Sequence, residues 1–237
     1  MLQRKQGRVS LAARSVDIVY MSSIGWLVSF GLIASPGNII NFDNDSLGKT
    51  PPGWTVAMTN RGVAPRWEVL RDPSAPTQPY VLAQTSNDSN KDRFPLAILD
   101  AVSLRDGDVS VRLKTVSGHE DQAGGLVFRY RDEKNYYLVR ADALQDNVEL
   151  CKVENGQRIP ILPRGVRPSE FGVKHDIRSN AWNILKVSVR GNRFQVYVNH
   201  RRIMQAEDST YASAGKVGLW TVADSVAYFD DFRVYPK

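Results

Sequence analysis

The sequence contains very little of what covalent or metal crosslinking requires. Its 237 residues include one cysteine, Cys151, and three histidines. A single cysteine excludes an intramolecular disulfide and a cysteine-based zinc site. His119, His175 and His200 follow no local pattern that pairs one of them with a nucleophilic thiol. We therefore expect Cys151 to be a buried apolar residue, in a fold that an ordinary apolar core stabilises.

Long segments with helical periodicity are also missing after residue 38. Most segments alternate between apolar and polar residues, as a half-buried β-strand does. Val109, Val111 and Leu113, for example, share one face of a predicted strand. The pair Asn155-Gly156 predicts a tight hairpin, because both residues adopt positive φ at low cost. Ten or more short strands without helices predict an all-β fold, a two-sheet antiparallel β-sandwich.

The body of the chain has no large excess of charge of one sign. The formal net charge is +6, and +3 of it comes from the first forty residues, where Arg4, Lys5, Arg8 and Arg14 face only Asp17. Later basic residues alternate with acids and belong to no recognised nucleic-acid motif. We therefore expect no nucleic-acid partner.

Residues 1–37 have the order of an export signal. After the basic residues, an apolar run extends from Ile18 to Ala34, and the breaker Ser35-Pro-Gly37 follows it. We predict either a signal peptide that is removed or an N-terminal membrane anchor that remains. Both alternatives make residues 38–237 a single exported domain, which is secreted, periplasmic or at the cell surface. Met21 is an alternative start that would remove the basic segment.

The last predicted strand carries two phenylalanines and two acids. Strict alternation places Phe229 and Phe232 on opposite faces of the sheet. It also separates Asp230 from Asp231, so we expect only one of these two carboxylates at any given site.

The content and order of seven short phrases are distinctive. They are Gly124-Gly-Leu-Val-Phe-Arg-Tyr-Arg-Asp132, Asn135-Tyr-Tyr-Leu-Val-Arg140, Asn155-Gly156, Trp182-Asn-Ile-Leu-Lys-Val-Ser-Val-Arg-Gly191, Val196-Tyr-Val-Asn199, Gly215-Lys-Val-Gly-Leu-Trp220 and Tyr228-Phe-Asp-Asp-Phe-Arg-Val234. The series resembles the concanavalin A-like lectin/glucanase superfamily, in particular the bacterial 3-keto-disaccharide hydrolase-like domains of unknown function. The resemblance covers roughly residues 38–237. It implies a jelly roll of two curved sheets whose concave face often meets carbohydrate.

One predicted hairpin carries side chains that suit a sugar. Arg129, Arg131, Tyr137 and Arg140 lie on its two strands. Arginine forks and aromatic rings hydrogen-bond to sugar hydroxyls and stack on sugar rings. We predict these four as carbohydrate-binding residues, and the alternative is an exposed strand face with cross-strand pairs.

Retaining glucanases of the superfamily that the chain resembles carry the motif Glu-x-Asp-x-Glu or Glu-x-Asp-x-x-Glu. No glutamate after the leader is followed two residues later by aspartate, so the motif is missing. Whether the chain is an enzyme stays open. A glycoside hydrolase with carboxylates from separate strands would have His119, Glu120 and Asp142 as candidate catalytic residues. The alternative for His119 and Glu120 is a solvated loop.

Three aspartates, Asp43, Asp45 and Asp231, are candidate calcium ligands. Their carboxylate oxygens suit this ion, and the first and last strands of such sandwiches often lie side by side. Aspartates in such segments are also ordinary turn residues. Calcium is therefore the one possible cofactor that the sequence suggests.

Three functions remain open at this point. The first is a secreted, lectin-like carbohydrate-binding domain that uses the concave sheet face. The second is a hydrolase for a disaccharide or polysaccharide, and the third is a structural or adhesion domain without a small ligand. Contact with a membrane is expected only through an uncleaved N-terminal segment.

Overall fold

The computed structural model describes residues 39–163 and 172–237, so the predicted leader at residues 1–37 lies outside the described residues. The described part contains β-strands and no helix, and hence no helix that is long and apolar enough to cross a membrane. The strands, in chain order, are β1 (Ile39–Ile40), β2 (Trp54–Thr59), β3 (Trp67–Arg71), β4 (Tyr80–Gln84), β5 (Phe94–Leu104), β6 (Gly107–Ser117), β7 (Ala123–Asp132), β8 (Asn135–Asp142), β9 (Asn147–Glu154), β10 (Gln157–Pro160), β11 (Val173–Lys174), β12 (Asn183–Arg190), β13 (Arg193–Val198), β14 (Arg201–Glu207), β15 (Gly215–Thr221) and β16 (Val226–Pro236).

The strands form two sheets of eight. The first sheet has the order β14-β13-β12-β6-β16-β4-β3, with β1 paired to β16. The second sheet has the order β10-β9-β8-β7-β15-β5-β2, with β11 paired to β9. Every one of these strand pairs is antiparallel. The predicted all-β, two-sheet antiparallel sandwich is confirmed.

An apolar core lies between the two sheets. Val187 and Val196 of the first sheet and Leu219 of the second sheet are fully buried in it. Phe128 stacks on Tyr137 with ring centroids 5.1 Å apart, and Phe194 of the first sheet packs against both rings. Burial of each such side chain contributes roughly 1.5–3 kcal/mol, so this layer holds the two sheets together.

The second sheet is also apolar on its outer face, which points away from the first sheet. A second buried cluster there includes Phe94, Leu138, Cys151 and Trp220. Cys151 is therefore the buried apolar residue that the sequence predicts, and its burial raises the pKa of its thiol. The outer face of the first sheet differs, because it carries charged side chains such as Lys186.

A β-bulge interrupts the alternation in β16. Asp230 pairs with Arg112 and Arg233 pairs with Ser110, so three steps along β16 match two steps along β6. Asp231 adopts φ 50° within this bulge. A residue inserted in this way shifts the following side chains to the opposite face.

Two predictions for β16 are wrong because of this bulge. Phe229 and Phe232 both lie in the core between the sheets. Asp230 and Asp231 also meet, because the hydroxyl of Thr77 lies 2.9 Å from an oxygen of Asp230 and 3.4 Å from one of Asp231. Burial raises the pKa of Asp230 to about 6.

Arg129, a predicted carbohydrate-binding residue, lies inside the fold instead. It occupies a bulge in β7 at φ 48° and is 1% exposed. Its guanidinium donates to the backbone carbonyls of Arg105 at 2.7 Å, Gly191 at 2.6 Å and Tyr211 at 2.8 Å. Arg129 therefore joins three loops by hydrogen bonds, and its side chain is not exposed to a sugar as the sequence predicts.

We expect Arg129→Met to lower the free energy of unfolding by about 3 kcal/mol or more, because buried carbonyls would lose their donors. Methionine retains much of the side-chain volume, so the loss would not reflect a cavity. Arg131→Met is the matched control, since Arg131 is exposed and its guanidinium lies 4.8 Å from the centroid of the Tyr211 ring. Urea denaturation measures both variants, and equal losses would contradict the joining role.

Candidate functional site

The candidate site is centred on Arg140, on the outer face of the second sheet. Its guanidinium donates from Nη1 to Glu149 at 3.0 Å and from Nη2 to Asp121 at 2.6 Å. Nη2 also donates to Asp142. All four residues are at most 7% exposed. We call these four residues the Arg140 cluster.

Strand alternation and pairing bring three of the four side chains together. Arg140 and Asp142 are two residues apart in β8, so they share a face. Glu149 of β9 is the direct cross-strand partner of Arg140. Leu138 and Cys151, on the same face, belong to the outer apolar cluster. The charged groups therefore lie at one end of a buried apolar cluster.

Asp121 reaches the cluster from the loop between β6 and β7. Asp224 fixes this loop, since its carboxylate accepts the backbone N–H groups of His119 at 2.7 Å, Glu120 at 3.1 Å and Asp121 at 3.3 Å. These hydrogen bonds lower the pKa of Asp224 against the opposing effect of its burial. The position of Asp121 thus depends on tertiary contacts and not on a strand.

The charges of the cluster do not balance, because one guanidinium faces three carboxylates. Burial raises the pKa of Asp121, an effect that Arg140 opposes and Asp142 adds to. Burial disfavours the charge of Arg140, yet the surrounding carboxylates raise its pKa. The cluster accordingly presents both strong donors and strong acceptors of hydrogen bonds.

Several polar atoms in this region lack partners. Among residues 39–163 and 172–237, six buried side-chain nitrogen or oxygen atoms form no hydrogen bond. Three of the six, Arg140 Nε, Asn147 Oδ1 and Arg158 Nη1, belong to the outer face of neighbouring strands β8, β9 and β10. Buried polar atoms are almost always paired in folded proteins. This concentration makes the region around Arg140 the candidate site.

The four predicted carbohydrate-binding residues do not lie together. Arg140 is in the cluster, whereas Tyr137 is in the core and donates its hydroxyl to Asp208 at 2.6 Å. Arg129 is buried among backbone carbonyls, and Arg131 is exposed beside Tyr211. Alternation along the hairpin explains the separation of Tyr137 from Arg140, which are three residues apart.

Two of the three candidate catalytic residues contact each other, since Nδ1 of His119 lies 3.5 Å from Oε1 of Glu120. The side chain of His119 is 94% exposed, and Glu120 pairs with Lys91 at 2.8 Å. Only Asp142 belongs to the cluster. Sequence reasoning missed Asp121 and Glu149 as site residues.

The structure does not gather the predicted calcium ligands. Asp43 accepts the backbone N–H of Tyr80 at 3.0 Å, and Asp231 accepts from Arg112 at 2.8 Å. Burial raises the pKa of Asp45. Within the described ranges, no three side chains of histidine, cysteine, aspartate or glutamate form a group that could hold a metal ion.

Known proteins similar to this chain are carbohydrate-related. Levanase of Bacillus subtilis (strain 168) is 33% identical over 135 residues, which are 56% of this chain and 18% of the levanase. The chain thus spans less than a fifth of the length of this relative. No family model matches the chain.

Solved structures share its fold. The carbohydrate binding module CBM66 from Bacillus subtilis matches with a TM-score of 0.57 and 26% identity, over 77% of this chain and 95% of that one. A sialidase matches with a TM-score of 0.55 and 8% identity, over 85% of this chain and 18% of that one. These likenesses confirm a concanavalin A-like β-sandwich, as the sequence predicts.

We expect the buried carboxyl of Asp121 to make stability depend on pH. Its pKa is raised in the folded state. At pH values above the usual carboxyl pKa, the folded protein therefore binds more protons than the unfolded chain. The free energy of unfolding should therefore fall as pH rises through this range. Asp121→Asn should remove that part of the fall.

Urea denaturation between pH 4 and pH 7 tests this expectation. Asp92→Asn is the control, because Asp92 is exposed. Parallel pH curves for the wild type and Asp121→Asn would show that Asp121 titrates as an ordinary surface carboxyl.

Proposed function

We propose that this chain is a carbohydrate-binding domain, and that the Arg140 cluster holds sugar hydroxyls. The observation that carries the proposal is the group of buried polar atoms without a hydrogen bond beside that cluster, namely Arg140 Nε, Asn147 Oδ1 and Arg158 Nη1. A ligand that both donates and accepts hydrogen bonds would pair all three. We further propose that the domain is exported and lectin-like, and that this sheet face is the concave one expected from the sequence.

The chemistry of the cluster suits a sugar better than a purely charged or purely apolar ligand. A hydroxyl both donates and accepts, so it can take a hydrogen bond from Arg140 and give one to Asp142 or Glu149. Hydrogen bonds to charged groups are roughly twice as strong as neutral ones.

The comparisons support the same class of ligand. One solved structure, which matches over 95% of its own length, is a carbohydrate binding module. The similar sequence is part of a levanase. Levan is therefore the first polysaccharide to test. The match to only 18% of the levanase concerns a small part of that protein, which favours a module over a complete enzyme.

A glycoside hydrolase is less well supported by the geometry. Its two carboxylates must stand about 5–10 Å apart, with the scissile bond between them. Asp121 and Asp142 both bind Nη2 of Arg140 and contact each other, so they lie too close together to have a scissile bond between them. The raised pKa of Asp121 is the one property that resembles a general acid.

We expect purified protein to bind levan or another polysaccharide of a panel that includes inulin and a glycan array. Asn147→Ala should raise the dissociation constant at least tenfold, equivalent to about 1.4 kcal/mol. It should change the free energy of unfolding by less than about 1 kcal/mol, because Asn147 Oδ1 has no hydrogen bond and Nδ2 loses only one long bond, to Gln145 at 3.3 Å. Isothermal titration and urea denaturation measure the two quantities.

Two further variants sharpen the test. Arg140→Lys keeps the charge but loses the forked geometry, and it should also weaken binding, with circular dichroism as the check on folding. Trp182→Ala is the control on the other sheet, since Trp182 lies beside Lys114 there, and it should bind normally. Absence of binding to every glycan would reject the proposal in favour of a structural or adhesion role. Release of reducing sugar would favour the hydrolase.

A further inference from the structure

A groove of about 950 Å³ lies next to the Arg140 cluster at one end of the second sheet. Four segments line it: the end of β2, the loop before β5, the β7–β8 turn and the β9–β10 turn. Its volume is near the upper end of the range for small-molecule pockets, about 300–1,000 Å³. The groove is therefore large enough for several sugar units.

Hydrogen bonds between these segments fix the shape of the groove. The side-chain amide of Asn60 donates to the carbonyl of Asp92 at 2.9 Å and to that of Gly156 at 3.1 Å. The backbone N–H of Gly156 donates to the carbonyl of Lys134 at 3.0 Å. Gly156 adopts φ 83°, and a Cβ there would stand 2.7 Å from Oδ1 of Asn60, so glycine is required. A preformed groove loses little entropy when a ligand enters.

The charges along the groove favour a neutral ligand. Its four cationic side chains are Arg61, Lys91, Lys134 and Arg158, and its lining carboxylates are Asp92 and Glu133. Glu120 stands 2.8 Å from Lys91, and Glu149 of the Arg140 cluster stands 3.8 Å from Arg158. The groove, Glu120 and the cluster together carry five cationic side chains and six carboxylates. An anionic polymer would therefore find no excess of positive charge.

Two ion pairs connect the lining of the groove with the Arg140 cluster and its neighbouring loop. Arg158 lines the groove and lies 3.8 Å from Glu149, which accepts from Arg140 at 3.0 Å. Lys91 lines it too and pairs with Glu120, the chain neighbour of Asp121. A molecule whose end lies at Arg140 would extend from there into the groove.

We infer that this groove binds the further units of a neutral oligosaccharide whose end unit is held at the Arg140 cluster. The inference rests on the proposed function and makes the ligand a chain of several sugars. Arg61 and Lys134 supply donors for it, because within residues 39–163 and 172–237 neither side chain has a hydrogen bond or ion pair. Asn155 and Gln157 add exposed amides.

The test compares oligosaccharides of two to six units, cut from levan or from whichever polysaccharide of the panel binds. Titration calorimetry on the full chain should show at least about tenfold tighter binding of the pentasaccharide than of the disaccharide, about 1.4 kcal/mol. In Arg61→Ala/Lys134→Ala this ratio should fall to about threefold or less. The affinity for the disaccharide should stay unchanged.

Lys49→Ala/Arg71→Ala is the matched control. It removes the same two residue types and the same charge from exposed positions outside the groove, and it should keep the wild-type ratio. If binding does not depend on the length of the oligosaccharide, or if Arg61→Ala/Lys134→Ala keeps the wild-type ratio of affinities, this inference is overturned and the proposed function is not. Absence of binding at every length, in the wild type as well, overturns the proposed function with it.

Discussion

The guanidinium of Arg140, shared by three carboxylates, is the interaction on which the proposed activity of this molecule depends. A buried charge is costly unless it is paired and hydrogen-bonded. Arg140 is 1% exposed, and it offsets only part of the charge of Asp121, Asp142 and Glu149. A site that stabilised the fold alone would be expected to pair its polar atoms completely. The unpaired Nε of Arg140 is a donor that the proposed ligand would pair.

The other two fully buried arginines show what a structural arginine does in this fold. Arg93 donates to the carbonyls of Val63 and Ala223, and Arg129 donates to three loop carbonyls. Both join loops to the sandwich mainly through backbone carbonyls, and Arg129 has one carboxylate, Asp106, at 3.5 Å. Arg140 differs from them in the chemistry of its partners, so composition alone could not distinguish a binding arginine from a joining one.

Alternation made much of the fold predictable from the sequence, and its interruptions explain the wrong predictions. The strands around Val109, Val187 and Val196 lie as their periodicity indicates. The bulges at Arg129 and Asp231 carry no glycine or proline that would mark them, so strict alternation misplaced the residues beside them. Glu149 was predictable in principle, because the short turn between β8 and β9 sets it opposite Arg140. Asp121 was not, because its position depends on Asp224, more than a hundred residues away.

The excess of carboxylates at Arg140 also bears on the ligand. A carboxylated or sulfated sugar placed there would meet a surplus of negative charge at low dielectric, where repulsion is strong. The groove does not offset this surplus, because the groove, Glu120 and the cluster together carry five cationic side chains and six carboxylates. Hydroxyl groups carry no such penalty, and they can satisfy both Arg140 Nε and Asn147 Oδ1. Electrostatics and hydrogen-bond pairing therefore both favour an uncharged sugar over an acidic one.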